Sequence, residues 1–348
     1  MPPVPVYIKM INQTNLSDKK RVFGFDAIKA LAAFFVVLYH VGMVDMGYRD
    51  GQYYYPTVVQ VIWLFCACGV PLFFMVNGAL TVHRNYDLKK SAVKAGRLIL
   101  AGLFWGLMVI CLQIFTKNTP FSWTPERLNY YWFLFTLAML YVVNYVLSKL
   151  PRWCRWVVIV ALLIYPFVAN LAWDLVTLHD PATHTHSWRT GAFTLYGVVY
   201  LYAGDYLRQR KVNLWVTLVC AVVGLALLAI EAMAFSNRIH HEFAAGNYCF
   251  PTIGALLLSI AVFLWVRDCD LQRFPLLKRF ITFLGNNALG IYIFHLMLLQ
   301  LFGCFSLFEQ GSYVHPFMAV LITLVYMVLS AGISELIRRS PIGFLLKL

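Results

Sequence analysis

The run Phe25-Asp26-Ala27-Ile28-Lys29-Ala30-Leu31-Ala32-Ala33-Phe34-Phe35-Val36-Val37-Leu38-Tyr39-His40 decides how this chain is to be read. It lies within an apolar stretch, 23–44, that is long enough to cross about 30 Å of hydrocarbon as a helix of roughly 20 residues. The apolar residues are continuous rather than alternating, which selects a helix over a strand of a membrane barrel. Three ionisable side chains sit inside it: Asp26, Lys29 and His40. An ionisable group at membrane depth costs several kcal/mol, so each one is a functional candidate. The 11-residue step from Lys29 to His40 turns about 1100°, close to a whole number of turns, so the two share a face about 16 Å apart along the axis. Asp26 is one turn before Lys29 on the same side and within reach of an i,i+3 ion pair. The plain reading is a lysine snorkelling toward headgroups beside its carboxylate, with a hydrogen-bonded histidine at the far interface. The shared face favours a joint polar pathway.

Working outward, nine further apolar runs follow, at about 58–82, 95–115, 130–148, 154–173, 191–207, 213–235, 249–266, 280–303 and 316–337. The fourth and sixth are the shortest and the most exposed to miscounting. Composition agrees: 61% of the 348 residues are hydrophobic and 12% charged, with mean hydropathy +0.71. A soluble domain carries about 25% charged residues, so this chain lacks the material for a water-facing surface. The expected fold is all-α, a polytopic transmembrane bundle of about ten spans. Alternating the ends of these spans places 21 of the 28 Lys and Arg on one side. They come from the N-terminal arm, the even-numbered loops and the C-terminus. The other side holds Arg49, Lys117, Arg127, Arg189 and Arg238. By the positive-inside rule both termini are cytoplasmic. The expected organisation is a cytoplasmic arm (1–22), one transmembrane domain (23–338) and a cytoplasmic tail (339–348). Residues 1–22 are polar and Pro-rich, so no cleavable leader is expected and the first span serves as its own insertion signal.

The net charge of +13 is accordingly a property of the cytoplasmic face, suited to anionic membrane lipids. A nucleic-acid partner is disfavoured because the basic residues are scattered over six segments. The eight cysteines have neither a disulfide framework nor zinc spacing and read as small apolar filler. His179, His184 and His186, with Asp174 and Asp180 nearby, make a weak metal pattern, and no metal is expected.

Further polar residues interrupt later spans. The second span contains Gly69-Val70-Pro71-Leu72-Phe73-Phe74-Met75-Val76-Asn77-Gly78-Ala79-Leu80, and Lys94 and Arg97 open the third. The fourth begins Tyr131-Trp132-Phe133-Leu134. The ninth reads Leu284-Gly285-Asn286-Asn287-Ala288-Leu289-Gly290-Ile291-Tyr292-Ile293-Phe294-His295, in which Tyr292 and His295 share a helix face. Taken in order, these segments resemble the membrane-bound acyltransferase-3 family of bacterial O-acyltransferases. That family's first span reads Asp-x-x-Arg, ten residues, then His, and here Asp26, Lys29 and His40 hold those places. Gly-Val-Pro-Leu-Phe-Phe-x-x-Ser-Gly-x-Leu, His-x-Trp-Phe-Leu and Ser-x-x-Ile-Tyr-x-x-His are its later motifs, so the likeness spans residues 23–303. Lys29 replaces the usual Arg, Asn77 the usual Ser, and Tyr131 stands near a place often held by His.

The resemblance implies transfer of an acyl group, usually acetyl, from cytoplasmic acyl-CoA to a hydroxyl of an extracytoplasmic cell-envelope glycan, a lipid-linked sugar or a related acceptor, in the bacterial inner membrane. On this reading acetyl-CoA is the donor and His40 is the general base, with transient acylation of its imidazole as a variant. Lys29, oriented by Asp26, grips the donor from the cytoplasmic half. Arg97 and Lys94 are candidates for CoA phosphates, against a plain role as positive-inside anchors. Asn77, Trp132, Tyr292 and His295 are expected to line the substrate cavity, Trp132 with interfacial anchoring as its alternative. The competing class is a transporter or flippase for a small polar or lipid-linked solute. It gives no reason for the histidine spacing, and the paired Gly/Pro-broken spans of many transporters are missing. An assembly subunit would need neither the buried ion pair nor the histidines.

Overall fold

In a bilayer a continuous apolar run satisfies its own amides as a helix, and the chain does so at each of the ten expected positions. The computed structural model describes residues 23–42, 48–49, 52–53, 64–84, 87–117, 131–172, 175, 195–239, 250–301 and 316–346. Eleven principal helices follow one another: α1 (Phe23–Gly42), α2 (Gly69–Thr81), α3 (Leu88–Lys117), α4 (Trp132–Lys149), α5 (Arg152–Leu163), α6 (Tyr196–Leu207), α7 (Leu214–Ile239), α8 (Ile253–Arg267), α9 (Pro275–Asn286), α10 (Ala288–Leu301) and α11 (Pro316–Arg338). A two-residue hairpin, Tyr48–Arg49 with Gln52–Tyr53, is the sole strand pairing among the described residues. α5 passes through a π turn, Ile164–Val168, which contains Pro166, a residue with no N–H to donate.

Seven helical stretches are long and apolar enough to cross a bilayer, or eight if the bent pair α9–α10 counts as one span. The protein is therefore a multi-pass membrane protein. Of the ten expected spans, the sixth and eighth are short: α6 has 12 residues and α8 has 15. Both are largely covered by protein, with nine of the twelve residues of α6 buried. Their termini find partners in neighbouring helices. Glu231 of α7 accepts from the Gly254 amide at 3.1 Å, Thr252 caps Ala255, and Tyr200 of α6 donates to the Phe250 carbonyl at 2.6 Å. At its other end α8 sends the Arg267 guanidinium to the carbonyls of Leu207 and Arg210.

The ninth expected span, 280–303, is not one straight helix. α9 and α10 meet at 74°, at the polar run Gly285-Asn286-Asn287. Lys278 and Arg279 keep α9 out of hydrocarbon, and its exposed Leu276, Leu277 and Phe280 give it the two-faced pattern of a helix lying in the membrane interface.

α1 is the hub, touching α2, α8, α9, α10 and α11. Two close approaches set the packing. Gly78 of α2 lies against the Leu201 carbonyl of α6, and Gly204 of α6 lies against the Met75 carbonyl of α2. A Cβ at either would overlap backbone, which is the small-residue device of membrane helix pairs. Gly285 of α9 similarly allows contact with the Asp26 backbone. Basic segments far apart in sequence meet at this end of the bundle. Lys278 lies 5.3 Å from the centre of the Phe23 ring, and Arg338 donates to the Asn286 carbonyl at 3.2 Å. Of the expected tail 339–348, Pro341–Leu345 forms a 3-10 turn, and Leu345 and Leu346 are buried. The expected arm 1–22 lies outside the described residues.

Candidate active site

Lys29 stands on α1 with its Nζ 2.8 Å from Oδ1 of Asp26. Asp26 is almost fully buried, whereas Lys29 is partly open. The open side faces a cavity of about 500 Å³ enclosed by α1, α2, α3, α4, the α9–α10 break and α11. Asn77, Lys94 and Tyr292 line the same cavity. Four of the nine expected site residues, drawn from four helices, thus reach one space. Its polar side is braced: Tyr141 donates to Oδ1 of Asn77 at 3.3 Å, Nδ2 of Asn77 donates to the Phe73 carbonyl, and the Lys94 ammonium sits 5.1 Å from the Tyr141 ring centre. The remaining wall is largely apolar, including Phe73, Val76, Leu98, Phe133 and Leu289.

Arg84, Arg338, Tyr141 and Asn286 also line this cavity, and none was singled out from sequence. Arg84 and Arg338 belong to the 21 basic residues of the cytoplasmic side, and nothing in their spacing distinguishes them from the others. Asn286 did carry a signal, being part of an Asn-Asn pair inside an apolar run. Next to Arg84, partial burial together with Arg208 holds the His83 imidazole below its usual titration range, against the pull of Asp205 3.6 Å away.

Tyr292 forms the inner wall. Its hydroxyl is hydrogen bonded to the backbone of Phe133, its ring packs 5.1 Å from that of Phe133, and His295 lies one turn further along α10, 6.1 Å between ring centres. Tyr131, just before α4, donates to the Ile293 carbonyl at 3.0 Å and so pins the start of α4 to α10.

His40 and His295, 255 residues apart in sequence, meet: Nε2 of His295 is 3.4 Å from Nδ1 of His40, with ring centres 5.0 Å apart. His295 Nδ1 is 2.9 Å from the Ile291 carbonyl, which assigns its proton to Nδ1 and leaves Nε2 as acceptor. Nδ1 of His40 lies 2.8 Å from the Val36 carbonyl, so it too carries the proton. That tautomer presents the Nε2 lone pair of His40 as the base.

Neither His40 nor His295, which was expected to line the substrate cavity, is among the lining residues of the cavity beside Lys29, and two further expected residues lie elsewhere. Arg97 is exposed on α3 and is not among the cavity's lining residues. Trp132 stacks on Phe250, 5.9 Å between centres, outside the lining. Both departures have a simple cause. Arg97 comes one residue before the cavity-lining Leu98 and so points about 100° away from it around α3, and the Trp132 indole is taken up by the Phe250 ring. His179, His184 and His186 lie outside the described residues.

A family model described as an acyltransferase domain matches residues 22–338. The chain belongs to the acyltransferase-3 family. The match runs over nearly the whole chain, from the residue before α1 to the end of α11, and so takes in both histidines and the ion pair. No curated protein and no solved structure matches the chain. As a member of that family it is an acyltransferase enzyme of the membrane, and its acyltransferase-3 domain is the entire helical bundle just described.

Proposed function

We propose that this acyltransferase takes an acyl group, most simply acetyl, from cytoplasmic acyl-CoA and delivers it to a hydroxyl of an extracytoplasmic cell-envelope glycan or lipid-linked sugar, across the bacterial inner membrane. One observation carries the reading: a cavity lined by Lys29, Arg84, Lys94 and Arg338 at the basic end of the bundle has Tyr292 as a wall, and Tyr292 packs beside His295 of the histidine pair. Cations suit a phosphate-bearing donor, and the apolar wall suits a flexible acyl arm. By the positive-inside rule the basic end faces the cytoplasm, where acyl-CoA is made. The thioester supplies an activated acyl carbon, and the other roles belong to the chain. Lys29, fixed by Asp26, holds the anionic donor. His40 takes the proton of the attacking hydroxyl on Nε2 as its oxygen bonds the acyl carbon; the C–S bond breaks, and the proton passes to the CoA thiolate that leaves. The Nδ1–H of His40 stays on the Val36 carbonyl, which fixes the ring as a third group fixes the base of a catalytic triad, and the Nε2 lone pair of His295 faces the imidazolium so formed.

The test is transfer of radiolabel from acetyl-CoA to envelope glycan by purified protein in proteoliposomes. Label should appear in the glycan fraction and be lost with His40→Ala. Undiminished transfer in His40→Ala would remove the assigned base, and no transfer from any acyl-CoA would remove the function.

A further inference from the structure

The cavity beside Lys29 shares two lining residues, Asn286 and Arg338, with a second cleft of about 960 Å³ between α9 and α11. Lys278 and Arg279 of α9, Arg338 at the end of α11 and Arg339 just after it line that cleft, with Glu335 as its one carboxylate. Glu335 is engaged by Arg339 at 3.2 Å, and Lys278 is 3.4 Å from Asp270. Among the described residues Arg279 and Arg338 have no carboxylate within ion-pair distance. Arg338 is held at the junction of the two spaces by the Asn286 carbonyl and, at 3.5 Å, by Oδ1 of Asn287. The break between α9 and α10 is what opens this passage, because it swings a basic helix across the end of the bundle.

Size separates the tasks of the two spaces. The inner cavity is of the drug-sized class, whereas an acyl-CoA adds to its acyl-pantetheine arm a nucleotide with three phosphate groups. We infer that the cleft between α9 and α11 is the subsite for the nucleotide end of the donor. Arg279 and Lys278 meet the phosphate most remote from the thioester, and Arg338 guides the chain from one space into the other. This rests on the acyl-CoA reading above. An anionic lipid headgroup offers the same phosphate chemistry, and α9 lies at the interface. The shared wall with the inner cavity favours the nucleotide, since a headgroup would have no reason to adjoin Lys29.

The experiment uses full-length protein in phosphatidylcholine nanodiscs, with adenosine 3′,5′-bisphosphate as the probe. Wild type should bind it, and the double substitution Lys278→Gln, Arg279→Gln should weaken binding tenfold or more. Replacing the probe by adenosine 5′-monophosphate should weaken wild type and scarcely affect the variant. The preference for acetyl-CoA over acetyl-pantetheine, as a ratio of kcat/KM, should fall by the same factor. Equal binding of the bisphosphate by wild type and variant overturns the subsite while leaving acyl transfer standing. Bisphosphate binding that depends on Arg279, in a protein that transfers from neither donor, overturns acyl transfer while leaving the nucleotide subsite. Absence of bisphosphate binding, with retention of phosphatidylglycerol lost in the variant, assigns the cleft to lipid and overturns the proposal.

Discussion

Lys29 and His40 share a helix face, yet each depends on a partner from a different source. Lys29 finds Asp26 one turn away, and this pairing is local. Lys29→Arg should keep activity within a few-fold, because a guanidinium reaches the same carboxylate and is the family's usual residue. Lys29→Ala should raise the KM for acetyl-CoA, since it removes a cation from the donor cavity and leaves Asp26 buried without it. Steady-state kinetics in proteoliposomes separates the two. His40 instead meets His295, from the other end of the chain. His40→Ala should cost about 10²–10⁴-fold in kcat, the usual worth of a general base. His295→Ala should lower kcat by less and displace the pH–rate profile, because it alters the group facing Nδ1 of the base rather than the base itself. An unchanged profile in His295→Ala would mean that the second histidine only fills space.

At the scale of elements, the α2–α6 crossing decides whether the cavity has walls. Gly78 and Gly204 bring two backbones together, and backbone cannot swing aside as a side chain does. Gly78→Ala or Gly204→Ala should therefore cost about 1–3 kcal/mol by overpacking, visible as a lower thermal midpoint in detergent. Asn77 is next to Gly78, so the Tyr141–Asn77 bond should be disturbed as well and activity should fall at temperatures where the protein is still folded. The C-terminal 3-10 turn acts on the same cavity from below, with Leu346 in its lining. Deleting residues 341–348 should raise the hydrolysis of acetyl-CoA by water relative to transfer, because the cavity loses part of its cover. Thiol release without added acceptor measures that ratio.

For the molecule as a whole, the basic ends of α1, α6, α8, α9 and α11 converge, and sidedness gives the site its direction. Cys269 is exposed at this basic end, just after α8. In a background with the other seven cysteines replaced, Cys269 should react with a membrane-impermeant maleimide in inside-out vesicles and not in intact cells. The reverse labelling pattern would place the cation-lined cavity away from cytoplasmic acyl-CoA and undo the proposed direction of transfer.

The helical character of the apolar runs and the Asp26–Lys29 pair were legible in the sequence because both are consequences of short-range rules. Apolar length determines a helix in lipid, and a three-residue step determines an ion pair on it. The shared face of Lys29 and His40, and that of Tyr292 and His295, follow from helical periodicity in the same way. What periodicity does not contain is the packing of one helix against another. The meeting of His40 with His295, the exclusion of Arg97 and Trp132 from the cavity, and the arrival of Arg84 and Arg338 in it all depend on which faces pack together. So does the bend at Asn287, where Ser334 and Arg338 from α11 reach the Asn287 side chain and hold a helix break that the apolar run alone had read as continuous. By itself the sequence determined a helical membrane protein with polar groups at the right heights. Only the tertiary structure decided which of those groups face one another, because contacts between helices are set by close packing over the whole bundle.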